Sequence, residues 1–210
     1  MSYVVYGDLK SGAFSVEAVL AETGAAYEFH TVSLQQNAQK APEFLAINPT
    51  GKMPALKLPG GEVVTESAAI LLAIAERHPD AGLLPPPASL ARAEAVRWIV
   101  YLACEVYSMV EISDYPERFA PAGDAAEALR KKAQERIHER LLVLEDEIAG
   151  PWLLATGFCA ADIYLANFSR WRNSIGVDWL AEERIPKIKA LADAVSQRPR
   201  IAPVWARHFG

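Results

Sequence analysis

The residues that could do chemistry cluster in the first third of the chain. Ser11 sits in a polar loop of "VVYGDLKSGAFSVEAVLAETG", between a short apolar run ending at Tyr6-Gly7 and a helix-like pattern. A serine at a helix mouth reads as a cap. That is the default reading; the functional one is a hydrogen-bond donor to an anion at that terminus, and a thiolate is one such anion, because a helix N-terminus with a hydroxyl donor lowers a thiol's pKa. "NPTGKMPAL" carries the next feature, Met53-Pro54. A trans proline opening a strand is the ordinary reading. A cis bond would turn the Met53 N–H and C=O outward, where they can pair with an extended peptide. "TESAAI" carries the last, Glu66-Ser67 at a strand-to-helix junction. Free N–H groups and the Ser67 hydroxyl suit a carboxylate, and Glu66 suits an ammonium, so the pair could receive an α-amino acid head group. The plain alternative is a helix start with Thr65 as N-cap.

Alternating elements must position these residues. "YVVYG" is a β-rich run closed by glycine, and Phe14, Val16, Val19 and Leu20 share a helical face that Gly24 can stop. "YEFHTVSL" reads as a strand, "PEFLAINP" as a short helix, "MPALKL" and "EVVTE" as a hairpin around Pro59-Gly60-Gly61, and Glu66 to His78 as a helix. The order βαβαββα implies a small mixed sheet covered by helices. The proline-rich "HPDAGLLPPPAS" breaks the pattern, giving an expected first domain at 1–78, a linker at 79–88 and an all-helical domain at 89–210. Within the last, Ser89 is the N-cap of a long helix through Val110, and Ile137, Leu141, Leu144 and Ile148 form one stripe. Further helices are expected over 160–173 and 186–197.

Composition narrows the function classes. The chain has 210 residues, a net charge of −5 and 51% hydrophobic residues, enough for a real core. Its basic residues are scattered among acids, so no nucleic-acid partner is expected. No apolar run is long enough for a membrane span and no signal-peptide pattern opens the chain, so the expected location is the cytoplasm. Cys104 and Cys159 form no CxxC, and the histidines show no ligand spacing, so no metal is expected.

Taken in order, these pieces resemble the soluble glutathione S-transferase superfamily. "NPTGKMPAL" is similar to the family's N-P-x-G-x-V-P-x-L segment, "TES" to its Glu/Gln-Ser pair, "LLPPPASLARAEAVRW" to its linker and fourth-helix start, and "GFCAADIYLAN" to the G-x-x-[ST]-x-A-D motif of the sixth helix. The resemblance spans essentially the whole chain. It implies a thioredoxin-like N-terminal domain, a helical C-terminal domain, a homodimer and glutathione as co-substrate. On it, the γ-glutamyl head group falls to Glu66 and Ser67, the cysteinyl backbone to Met53 beside cis Pro54, and the glycyl carboxylate to Lys52 with Gln39 or Lys40. "YGDLKSG" looks like the serine-type classes (theta, zeta and bacterial relatives), which makes Ser11 the thiol-activating residue, with Tyr6 as the alternative. The first 103 residues hold no cysteine, which argues against mixed-disulfide chemistry. Cys159 stands where the motif has Ser or Thr, a weaker cap, while Asp162 can still close the box.

The expected reaction is attack of the glutathione thiolate on a small hydrophobic electrophile in a pocket between the domains. Its expected walls are Leu9, Lys10, Tyr107, Glu111, Tyr115 and Trp171, although core packing accounts equally well for the aromatics. Arg170 and Arg172 read as a solvated helix face. A glutathione-dependent isomerase of the zeta (maleylacetoacetate) type is the first rival, weakened by Gly12-Ala13 where a second serine or cysteine would stand. A non-catalytic glutathione-binding regulatory module is the other.

Overall fold

A computed structural model of the chain describes residues 2–181 and 184–210. The chain divides into two compact units, Met1–Pro86 with Val195–Gly210, and Pro87–Ala194.

The first unit is built on a four-stranded sheet in the order β2-β1-β3-β4. The strands are β1 (Tyr3–Gly7), β2 (Tyr27–Thr31), β3 (Ala55–Lys57) and β4 (Val63–Thr65), and the helices among them are α1 (Ala13–Thr23), the single turn α2 (Pro42–Leu45) and α3 (Ser67–Arg77). β1 runs parallel to β2 through the α1 crossover and antiparallel to β3, and the β3–β4 hairpin closes the edge. This is the thioredoxin-like βαβαββα order read from the sequence. Strand alternation explains the layering. Tyr3, Val5 and Gly7 are buried on one side of β1, while Tyr6 takes the other and packs on Val32, Phe44 and Ala55. α1 packs on α3. A Cβ on Gly7 would lie 2.2 Å from Ala13 Cβ, so only glycine lets the strand end pass under the first turn of α1.

The second unit is helical: α4 (Leu90–Tyr101), α5 (Ser108–Asp114), α6 (Asp124–Glu147), α7 (Ala160–Phe168), α8 (Arg172–Ile175), α9 (Val177–Ala181) and most of α10 (Pro186–Ser196). Ser89 caps α4 as expected, accepting the Arg92 N–H at 3.1 Å. A π-helical segment, Leu102–Tyr107, joins α4 to α5 without a break, so the long helix of the sequence reading contains a widened turn. The helix expected over 160–173 stops at Phe168. Ser169 turns its hydroxyl onto Ala166 O (2.7 Å), and the Arg170 and Trp171 N–H groups reach only three residues back. Trp171 therefore stands at the N-cap of α8, not on the motif helix. In α7 the Asp162 side of the capping box is formed: its carboxylate accepts Cys159 N–H and Leu153 N–H, both at 2.7 Å. Burial, then the Asp162 charge, pushes the Cys159 thiol up to about 12. Cys159 is a structural thiol and no nucleophile.

The chain's last helix, α11 (Ala202–Phe209), belongs to the first unit, where it packs on α1. Trp205, His208 and Phe209 all meet Phe14, with ring centroids 4.9 to 5.4 Å away.

Candidate functional site

The sheet register brings the chemistry-bearing residues of the first unit to one end of the sheet. Tyr6 pairs with Ala55, and Ala55 with Thr65. Met53-Pro54 enters β3 as Glu66-Ser67 leaves β4, and the loop carrying Ser11 leaves the end of β1 beside them.

The Met53–Pro54 peptide is cis. Among the described residues neither the N–H nor the C=O of Met53 is hydrogen-bonded, although the strand begins two residues later. A backbone donor and acceptor left open at a sheet margin are a template for one more extended segment. The loop before them is stapled from inside. Buried Asn48 donates to Lys52 O at 2.7 Å and accepts from the N–H and hydroxyl of Thr50 at 3.2 and 2.9 Å. Gly51 turns the loop with φ +60°, and a Cβ there would lie 2.9 Å from Gln39 O and 2.8 Å from Lys40 Nζ. Gln39, Lys40 and the Lys52 loop are thus neighbours. Lys40 and Lys52 are exposed, while Gln39 is buried with its Oε1 unpaired among the described residues.

At the head of α3, Glu66 and not Thr65 occupies the N-cap position, with φ 65° and ψ 113°. A non-glycine residue pays about 1–3 kcal/mol for such a conformation. The Glu66 side chain makes no capping hydrogen bond, and no acid lies in the first turn of the helix. The terminus therefore keeps its partial positive charge facing outward, with Ser67 buried at the first position and the Glu66 side chain exposed.

Ser11 precedes Gly12, the N-cap residue of α1. Its hydroxyl donates to Asp8 O at 2.6 Å and accepts the Ala13 N–H at 3.2 Å. The cap and the donor readings thus meet in one group: the hydroxyl steadies the first turn of α1, and its proton rests on a loop carbonyl that a better acceptor could displace. Asp8 holds the loop to its surroundings, accepting Leu9 N–H at 2.9 Å and Leu34 N–H at 2.7 Å. Lys10 has φ 61°. Tyr6 packs against the cluster that also holds Met53, with its ring 5.2 Å from that of His30.

The family models for "Glutathione S-transferase, N-terminal domain" and "Glutathione S-transferase, C-terminal domain" match residues 1–76 and 100–199. The chain belongs to the glutathione S-transferase family. It is 33% identical over 206 residues to the uncharacterized GST-like protein YncG of Escherichia coli K12, covering 97% of each chain. It is 35% identical over 154 residues to a maleylacetoacetate isomerase of Rhizobium meliloti, covering 72% of this chain and 70% of that one. Among solved structures, a glutathione transferase homolog from Sulfitobacter with bound glutathione superposes with a TM-score of 0.89 at 28% identity, covering 98% of both chains.

The expected electrophile residues are drawn from both units. Leu9 and Lys10 lie exposed on the Ser11 loop of the first unit. In the second unit Tyr107 and Trp171 share an aromatic group, their centroids 5.0 Å apart and each packed edge-on against Phe168. Glu111 and Tyr115 form another group around Arg118, whose guanidinium lies 3.5 Å from Glu111 and 3.8 Å from the Tyr115 ring centroid. Arg118, Asn48 and Asp8 had no role in the sequence reading. The last two carried a legible signal, since Asn and Asp in loops bond to backbone a few residues on. No helix among the described residues is long and apolar enough to cross a membrane. No cluster of three or more His, Cys, Asp or Glu side chains among them is placed to share a metal.

Proposed function

We propose that the protein is a serine-type glutathione transferase, conjugating the thiolate of glutathione to a small hydrophobic electrophile in the cytoplasm. The open N–H and C=O of Met53 carry this reading, because they offer the cysteinyl residue of a γ-Glu-Cys-Gly tripeptide a strand to pair with. Glu66 takes the γ-glutamyl ammonium, and Ser67 with the α3 N-terminus takes its carboxylate. Lys52, with Gln39 and Lys40, meets the glycyl carboxylate through charge-assisted hydrogen bonds. Ser11 rotates its proton from Asp8 O to the sulfur and stabilises the thiolate without losing that proton. Leu9, Lys10, Tyr107 and Trp171 contact the electrophile, with Glu111 and Tyr115 at its margin. The exposed apolar residues Leu90 (76%) and Val100 (46%) on α4 support a homodimer through that helix.

The relative named maleylacetoacetate isomerase supports a second reading, in which glutathione adds to a maleyl substrate and leaves again after rotation about the former double bond. Gly12 and Ala13 supply no second hydroxyl or thiol beside Ser11, so conjugation is preferred. Calorimetric titration with glutathione, followed by rate measurements on aryl halides, epoxides, enones and maleylacetone, separates these readings. The proposal expects binding and conjugation of at least one of the first three. Turnover of maleylacetone alone favours the isomerase, binding without turnover favours a non-catalytic module, and no binding overturns all three.

A further inference from the structure

The first helix contains an acid where its neighbours are apolar. Glu17 is fully buried within Ala13–Leu20, every residue of which is buried. Its carboxylate accepts the Tyr27 hydroxyl at 2.9 Å, pairs with the Arg207 guanidinium, and lies 2.9 Å from Nε2 of His208. His208 is itself fully buried, near the C-terminus of the chain and edge-on to Phe14 and Phe29. Its other nitrogen, Nδ1, accepts the backbone N–H of Lys10 at 3.2 Å.

These contacts fix the tautomer. A nitrogen facing a carboxylate carries the proton, and a nitrogen facing an amide N–H does not. Neutral His208 satisfies both partners, whereas the imidazolium would set one N–H against another. Burial and the Arg207 charge lower its pKa to about 4, against the opposing pull of Asp8. Lys10 is one of the few non-glycine residues with positive φ, a conformation that persists only where surrounding contacts hold it. The next residue is Ser11.

We propose that His208, oriented by Glu17, is a positioning residue for the thiol-activating serine: its Nδ1 holds the Lys10 backbone in the left-handed turn that sets the Ser11 hydroxyl at the mouth of α1. This rests on the assignment of Ser11 under the proposed function. It makes the chain's last turn part of the active-site loop although it touches no substrate.

Two amides divide the imidazole between them. In His208→Gln the side chain can still donate to Glu17 but puts no acceptor at the Nδ1 position. In His208→Asn the amide oxygen takes the Nδ1 position and the reach to Glu17 is lost. The readouts are the titration of the bound glutathione thiol by its ultraviolet thiolate absorbance, kcat and KM for glutathione with chlorodinitrobenzene, and hydrogen exchange at the Lys10 amide. His208→Gln is expected to speed Lys10 exchange about tenfold or more, raise the bound thiol's pKa and lower kcat, by no more than Ser11→Ala does, with KM changed less than about twofold. His208→Asn is expected to restore Lys10 protection and most of kcat. On a Ser11→Ala background His208→Gln should cost nothing further, because its effect passes through the serine. The proposal is overturned if His208→Gln leaves the thiol titration at its wild-type position, or if its loss adds in full to that of Ser11→Ala. Should His208→Gln not fold, the wild-type Lys10 amide decides: exchange at the rate of an open loop overturns the proposal, and protection that His208→Asn preserves supports it. If Ser11→Ala itself leaves the thiol titration unmoved, the serine assignment is what has failed. If Ser11→Ala acts and His208→Gln is silent, only the positioning role falls.

Discussion

Replacing Ser11 by alanine removes a hydroxyl that both accepts and donates, and the structure allows the two losses to be weighed separately. As acceptor, the hydroxyl satisfies the Ala13 N–H at 3.2 Å. Losing that cap costs about 1 kcal/mol of stability, or a fall of about 2–4 °C in Tm for a chain of this size. As donor, the hydroxyl serves Asp8 O at 2.6 Å in the resting protein and, on the proposed function, the sulfur when glutathione is bound. A hydrogen bond to a charged group contributes about 1.5–3 kcal/mol, and the neutral bond given up to make it about 1 kcal/mol. The net gain to the thiolate is then about 0.5–2 kcal/mol. At about 1.4 kcal/mol per pKa unit, the bound thiol of Ser11→Ala should titrate about 0.4–1.5 units higher. Near neutral pH this lowers kcat/KM about 2- to 30-fold. The deficit should shrink as pH rises past the shifted pKa, since the thiolate then forms unaided. The assay is a pH profile of chlorodinitrobenzene conjugation alongside ultraviolet titration of the binary complex. An unmoved titration refutes the reasoning and transfers the test to Tyr6→Phe. A loss of a thousandfold or more also refutes it, because one exchanged hydrogen bond cannot supply that much.

Other consequences follow from single contacts. Asn48→Ala removes the donor to Lys52 O and loosens the loop that presents Met53, so KM for glutathione should rise about 5- to 100-fold with kcat little changed in steady-state kinetics. Asp162→Ala strips two buried N–H groups of a charged acceptor and should cost about 3–6 kcal/mol, read as a large drop in the denaturation midpoint; a loss under about 1 kcal/mol would contradict the capping account. Cys104 is exposed while Cys159 is buried with its thiol pushed up to about 12, so an alkylating reagent should label Cys104 alone in the native protein and both residues after unfolding. His208 titrates at about 4 folded and near 6.5 unfolded, so the unfolded chain binds the extra proton first. Stability should therefore decline as pH falls from about 6.5 toward 4, and the slope of Tm against pH in that window should flatten in His208→Asn.

Local signals made the first unit legible. Strand alternation, the Gly24 stop and the Pro59-Gly60-Gly61 turn are each decided by residues within a few positions, and the βαβαββα order follows from them. The site segments were legible for the same reason: "NPTGKMPAL" and "TES" each hold their donors and acceptors within one short loop. What local pattern could not give was the state of the backbone itself. Thr65 is a better N-cap by residue type than Glu66, yet the chain caps at Glu66 in a strained conformation that propensity disfavours. The break after Phe168 was hidden because Ser169, Arg170 and Trp171 are all tolerated in helices, and only their hydrogen bonds show the tightened turn.

The C-terminal segment marks a different limit. The helix Ala202–Phe209 is not among those expected from the sequence, and nothing within it says which layer it covers. The signal lies elsewhere, in Glu17. An acid in the fifth position of a helix start that is fully buried from Ala13 to Leu20 must be buried with partners that cancel its charge. Tyr27 can supply one from the adjacent strand. The stronger partners had to come from some Arg or His not yet placed, and Arg207 and His208 meet that requirement. A buried acid without a visible partner is thus a long-range constraint written in one residue. Here it ties α11 to α1 and, through Lys10, reaches the loop on which Ser11 stands.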